Sequence, residues 1–514
     1  MSTGVKRIRR RWPKAFWSLL TVLVLVVGGG GAFGVFYLRA GLDTVGEIDF
    51  ADELAIPPLA ESEVDADGTR VFDLDLQAGE TRFLDGPVTR TWGVNGSYLG
   101  PTLRATRGER VSFAVRNNLD EATSLHWHGM HVPAAMDGGP HQTVAPGETW
   151  RPHWTVDQQA ATLWYHPHLH GQTAAHAYRG LTGMFILDDE HAAKPGLPSE
   201  YGVDDLPMIV QDREFDADNQ FDASTPFLGT GGAIGDEILV NGTRGPFVDV
   251  TTRLVRLRLL NGSSARVYNF GFGDDRRFQL IATDGGLLPN AWETTRLQLS
   301  PGERAEVVVA FSPGETVELR SFPAAYGFTG FGARTNGAED NLDLVQFRVA
   351  EHLTGETSVP ATLGTAPGVD TTDVAETRTF ELSGRDINGK KMDMNRIDFA
   401  VREGTTEVWE IVNTNGYMHN FHIHDVQFQV LDVDGTDPPP YLGGWKDTVQ
   451  LVPDRRYRLA LRFTGYTDPD MPYMYHCHLS LHEDEGMMGQ FVVLGDGEKM
   501  GRVPQTAGHD HGNG

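Results

Sequence analysis

A single cysteine, Cys477, stands among 514 residues, so no intramolecular disulfide framework is available in any compartment. Basic charge is also short: 43 Lys and Arg against 70 Asp and Glu give a formal net charge of −27. Such a surface repels nucleic acid and draws cations, which excludes a nucleic-acid partner. Helical periodicity is nearly missing after the first 40 residues, which excludes a helix bundle. Long apolar runs are missing too, with one exception. Lys6, Arg7, Arg9, Arg10, Arg11 and Lys14 precede an uncharged stretch from Ala15 to Leu38. As a helix it would rise about 36 Å, enough to cross a hydrocarbon core of about 30 Å. The basic flank stays inside, so residues 1–40 read as a single-pass anchor in the cell membrane with the body on the extracytoplasmic face. A cleaved signal that leaves a secreted body is the alternative. Residues 41–65, acidic and containing Pro57-Pro58, read as a linker.

What is abundant is turn chemistry. Gly 60 and Pro 28, with period-two alternation between turns, predict an all-β chain of sandwiches. An Asn-Gly turn followed by a strand recurs at Val94-Asn95-Gly96, Val240-Asn241-Gly242 and Ile387-Asn388-Gly389, and a proline turn into a strand recurs at Pro146, Pro301 and Pro453. The recurrence predicts three tandem β-sandwich domains, at 66–192, 200–350 and 376–496, with a tail at 497–514. Histidine clusters mark the first and third copies. The matching stretch of the second, Asn261 to Phe270, holds none, so the second copy reads as a spacer without metal.

The 19 histidines are unevenly placed. Random placement gives about 0.7 His-x-His pairs, whereas the chain contains six. Four segments carry the pattern: His126-Trp127-His128, His166-Pro167-His168, His419-Asn420-Phe421-His422-Ile423-His424 and His476-Cys477-His478. Residues i and i+2 of a strand share a face, so each pair offers two imidazoles to one site, while Cys477 faces the other way. A thiolate, the imidazoles of His419 and His482 and the weak thioether of Met487 make a blue-copper electron-transfer set. Structural zinc prefers several thiolates, and only one is available. Eight imidazoles remain, a number suited to three copper ions at which dioxygen accepts four electrons.

The four segments resemble the ligand motifs of the multicopper oxidases, which include laccases and bacterial cuprous oxidases, and the resemblance covers residues 66–496. It implies three cupredoxin-like Greek-key domains and four copper ions. Type 1 copper would take His419, Cys477, His482 and Met487. Type 2 would take His126 and His422, and the type 3 pair His128, His166, His168, His424, His476 and His478. Asp137 and Glu483 match acids that deliver protons in the family, a role that needs them within reach of the oxygen intermediates.

The implied reaction is one-electron oxidation of phenols, aromatic amines or Cu(I), coupled to reduction of O2 to water by a monomer. An axial methionine suits easily oxidised donors. A dedicated cuprous oxidase is the alternative, although the 13 methionines are scattered and only Met392/Met394 and Met487/Met488 cluster. Copper nitrite reductase shares the fold, but the His476-Cys477-His478 triplet points away from it. Cell-division proteins of this fold that have lost their copper ligands form a third class, against which the complete ligand set argues. Of the other histidines, His170 lies in the tight loop of the second cluster and reads as a neighbour of the ligands rather than a ligand. His509 and His511 read as part of a disordered tail, with weak copper binding as the alternative, and His131, His141, His153, His176, His191 and His352 read as surface or hydrogen-bonded residues.

Overall fold

The computed structural model describes residues 41–190, 192, 196–225, 229–327, 330–365 and 368–504. The apolar stretch 15–38 and the tail histidines His509 and His511 lie outside the described residues. Among the described residues no helix is long and apolar enough to cross a membrane.

The described chain is mostly strand and forms three successive pairs of sheets, of six and four, seven and five, and six and five strands. Each pair repeats one topology. Its first long strand runs parallel to a later one: Thr69–Thr81 beside Arg110–Asn117, Asp205–Arg213 beside Leu254–Asn261, and Val374–Ser383 beside Thr406–Asn413. The facing sheet holds a second parallel pair: Leu103–Thr106 beside Gly183–Asp188, Phe247–Thr252 beside Leu342–Thr354, and Phe399–Arg402 beside Met488–Leu494. Parallel neighbours need long crossovers, and the repeated crossover gives each pair its sandwich form. A separate apolar core fills each pair.

The recurring turns act through their asparagines. Asn95, Asn241 and Asn388 all take positive φ, at 55°, 50° and 53°, a conformation asparagine tolerates better than most residues. In each, Oδ1 accepts from a strand amide (Asp75, Ile209, Glu381) and Nδ2 donates to a carbonyl two residues earlier (Asp73, Pro207, Thr379). A second set, Asn117, Asn261 and Asn413, ends the strand before each copy's histidine-cluster position. Their Nδ2 groups donate to the carbonyls of Val144, Leu299 and Leu451 and shape the loop that follows.

Residues 41–65, expected as a linker, run as an extended strap. They bridge to Asn341 and Phe247 of the middle repeat and to Thr102 of the first, and they bury Phe50 and Leu54.

Candidate metal centre

Alternation along four short strands brings the histidines together. In the strand His126–His128, Trp127 is buried in the first core, which turns His126 and His128 to the opposite face. In His419–Ile423, Phe421 and Ile423 enter the third core while Asn420 and His422 face away. Cross-strand register then pairs His126 with His166 and His422 with His476. The first and third repeats meet at this face, and none of the predicted residues there is more than 4% exposed. The turn Asp137-Gly138 presses on the first of these strands. Gly138 has φ +79°, and a β-carbon there would fall 1.8 Å from the Leu125 carbonyl, so only glycine fits.

Most of the eight paired histidines are held by one ring nitrogen. Nδ1 is 2.9 Å from the Asp137 carbonyl in His126, 2.8 Å from the Pro167 carbonyl in His166 and 2.9 Å from the Asp447 carbonyl in His422. It is 2.8 Å from Asp137 Oδ2 in His424 and 3.1 Å from the Cys477 carbonyl in His476. His128 is turned the other way, with Nε2 3.1 Å from Asp447 Oδ1. These acceptors fix the tautomer and leave the other nitrogen facing inward as a lone pair.

The inward nitrogens converge. Nε2 of His476 lies 3.2 Å from Nε2 of His168 and 3.3 Å from that of His424, and Nδ1 of His128 lies 3.4 Å from Nε2 of His166. Nε2 of His126, Nε2 of His422 and both nitrogens of His478 are buried with no hydrogen-bond partner. Buried polar atoms are almost always partnered, so orphans in this number fit a site for metal cations. Burial and mutual repulsion keep the rings neutral: His424 is brought down to about 4 and His478 to about 3, and His128, His166, His168, His422 and His476 go well below the ordinary value. Neutral imidazole is the form that ligates.

On the other side of the Cys477 backbone lies a second donor set. Sγ of Cys477 is 3.4 Å from Nδ1 of His419 and 3.5 Å from Nδ1 of His482, and the two Nδ1 atoms are 3.2 Å apart. Met487 is buried in the same core, and its carbonyl accepts from the Cys477 amide at 3.1 Å. Burial pushes the Cys477 thiol up to about 12, so a thiolate there calls for a metal cation. Burial likewise brings His419 down to about 2 and His482 to about 4. The thiolate and two imidazoles that converge here fit copper, with Met487 buried in the same core.

Two carboxyls flank the histidine cluster and are pushed in opposite directions. Burial opposes ionisation of Asp137, but His424 and His126 outweigh it and hold the carboxyl well below the usual carboxylate range. Glu483, in the short helix Ser480–Asp484, lies with Oε1 3.3 Å from Nδ1 of His168 and Oε2 3.5 Å from Nδ1 of His476. Burial, reinforced by Asp484, pushes Glu483 well above its ordinary value. The surroundings therefore favour the charged form of Asp137 and the protonated form of Glu483, a division that suits proton handling.

Sequence reasoning missed three residues at these sites. Asp447 sits between His128 and His422, and Asn420 Oδ1 accepts from the His478 amide at 2.6 Å while lying 3.5 Å from Cys477 Sγ. The carbonyl of Thr230, from the middle repeat, lies 2.8 Å from Nε2 of His482 and covers that edge of the ring. Of the other histidines, His131 pairs with Asp425, His141 with Gln490 and His176 with Thr123, while His153 and His352 are exposed.

Family models described as multicopper oxidase match residues 75–192 and 359–496. The multicopper oxidase mco of Staphylococcus haemolyticus is 37% identical, over 86% of this chain and 92% of that protein. The cell division protein FtsP of Sodalis glossinidius is also 37% identical, with the same coverage of both chains. The crystal structure of a laccase from Pediococcus acidilactici superposes with a TM-score of 0.78 at 35% identity, over 86% of this chain and 93% of the other.

Proposed function

The chain belongs to the multicopper oxidase family, and from that premise we propose that it is a laccase-like oxidase. It takes single electrons from phenols, aromatic amines or Cu(I) and uses them to reduce dioxygen to water. Residues 66–192 and 376–496 are the copper-holding units, and 200–350 stands between them. His419, Cys477, His482 and Met487 hold type 1 copper, and His126 and His422 hold type 2. His128, His166 and His478 hold one ion of the type 3 pair, and His168, His424 and His476 hold the other. The observation that carries the reading is the set of orphaned inward nitrogens on His126, His422 and His478 within a closed histidine cluster.

Copper bound at these residues supplies one-electron redox chemistry at the Cys477 site and four-electron chemistry toward dioxygen at the cluster. The chain's own residues do the rest. Cys477 is covalently continuous with His476 and His478, so the shortest path between the two donor sets runs through one stretch of backbone. Glu483 holds a proton beside His168 and His476, and Asp137 stays anionic and orients His424 and His126. The protons that water formation consumes pass through Glu483, while the Asp137 carboxylate keeps the neighbouring imidazoles in place to receive them. Thr230 closes the Nε2 edge of His482, so a donor delivers its electron across the Thr230 peptide rather than onto a bare ring.

Easily oxidised donors suit an axial thioether, and the laccase likeness at 35% identity supports phenolic substrates. Met392, whose amide donates to the Gly486 carbonyl next to Met487, keeps Cu(I) among the candidates. Export of the body through the stretch 15–38 belongs to the same reading. The likeness to FtsP favours a second one, a non-catalytic role in cell division. Metal analysis of the purified chain separates the two: about four copper ions per chain, with blue absorption, supports the oxidase, and a folded chain that takes up none supports the other.

A further inference from the structure

We propose that Arg304, carried in by the middle repeat, positions His128 for metal by fixing Asp447. The proposal rests on the reading that the paired histidines hold copper. It gives the repeat without a histidine cluster a part in building the centre.

His128 is the odd member of the cluster. The five neighbours with a hydrogen-bonded outward nitrogen turn Nδ1 outward, and for four of them the acceptor is a backbone carbonyl. His128 presents Nδ1 inward, 3.4 Å from Nε2 of His166, and so must donate from Nε2. Its acceptors are Oδ1 of Asp447 and Oγ1 of Thr448, each at 3.1 Å, and Thr448 Oγ1 in turn donates to the same carboxylate at 2.9 Å.

The position of that carboxylate is set by one guanidinium. Arg304 donates to both Asp447 oxygens, at 2.7 and 2.6 Å. Its other three N–H groups go to the carbonyls of Thr162, Gly302 and Asp284, at 3.0, 3.1 and 3.1 Å. All five donors of the fork are used, and their acceptors come from the first, middle and third repeats. Arg304 and Asp447 are both fully buried. A buried ion pair adds little net stability, but a bidentate one fixes direction.

Two glycines show how closely the pair and its turn approach the cluster. Gly129, directly after His128, has φ +84°, and a β-carbon there would lie 2.5 Å from Asp447 Oδ2 and 2.8 Å from the guanidinium. Gly302 also has φ +84°, and a β-carbon there would meet the ring of His478 at 3.1 Å. The turn of the middle repeat is thus seated directly on the ring of His478, and its guanidinium lies against Gly129, the residue that follows His128.

The test uses the copper-loaded full chain and three variants: Arg304→Met, Arg304→Lys and the double variant Arg304→Met with Asp447→Leu. The double variant replaces the buried pair with apolar side chains of similar volume and leaves no uncompensated charge, so it keeps the fold where a single variant fails. The readouts are copper per chain during chelator titration, the blue absorption of the Cys477 site, and the paramagnetic resonance and near-ultraviolet signals of the cluster. The double variant is expected to keep the blue absorption and to hold cluster copper about 10–100-fold more weakly, with Arg304→Lys between it and the unaltered chain. Cluster copper held with unchanged affinity and spectra would overturn the proposal. Loss of blue absorption in step with the cluster copper would reduce the pair to a folding role and overturn it equally. If the unaltered chain holds copper only at Cys477, it is the underlying reading of the histidines that has failed, and the variants are not needed to show it.

Discussion

Oε1 of Glu483 lies 3.3 Å from Nδ1 of His168, with both residues buried. A neutral carboxylic acid at that point is a proton source beside the cluster. Glu483→Gln keeps the size and the neutrality but removes the transferable proton. Turnover is expected to fall by about 10²–10⁴-fold with copper content unchanged. The raised pKa also has a stability consequence. Ionisation is opposed in the folded chain, so stability falls as pH climbs above the ordinary 4.5 toward the raised folded value. Glu483→Gln should therefore melt with the unaltered chain below pH 4.5 and above it in alkaline buffer.

Cys477→Ser removes the only thiolate within reach of His419 and His482. Blue absorption and donor oxidation should both vanish, while the cluster still takes up copper. Visible spectra together with metal analysis check this, and blue colour surviving in the variant would remove Cys477 from the type 1 set.

His131 of the first repeat lies 2.7 Å from Asp425 of the third. Burial opposes the imidazolium, but Asp425 outweighs it and raises His131 above 6.5. The contribution of the pair is lost as pH rises from 6.5 through that raised value. On the acid side it ends when Asp425, itself raised above 3.8 by burial, takes up its proton. His131→Gln should lower the melting temperature near pH 6 and leave it unchanged near pH 9. A difference that persists at pH 9 would show that packing, not charge, joins the repeats there.

Asn420 ties three segments together. Nδ2 donates to the Pro301 carbonyl at 2.8 Å, and Oδ1 accepts from the His478 amide at 2.6 Å. Asn420→Ala leaves both partners buried without it, at a cost of about 1–3 kcal/mol, to be read from the urea midpoint. The blue absorption should shift as well, because Oδ1 lies 3.5 Å from Cys477 Sγ.

The histidine segments were legible because strand alternation is local: residues i and i+2 share a face whatever surrounds them. Trp127, Phe421 and Ile423 entering the cores is that rule at work. The same locality made the Asn-Gly turns readable as repeats, since a positive φ is a property of the turn itself. Arg304 and Asp447 are 143 positions apart, Thr230 and His482 are 252 apart, and no local pattern announces either pair. The second copy read as a spacer for that reason: it lacks the paired histidines, yet its turns reach both donor sets. Composition describes only one side of the strap at 41–65: its acidic residues are exposed, whereas Phe50, Leu54 and Pro57 are buried against the repeats.

The most direct test of the central claim is oxygen uptake by the copper-loaded chain, with a methoxyphenol and Cu(I) supplied separately and peroxide assayed in parallel. Uptake with at least one donor, about one O2 for every four electrons delivered and without release of peroxide, is the predicted result. A chain that holds its full copper complement and consumes no oxygen with either donor, or that releases peroxide in proportion, would contradict it.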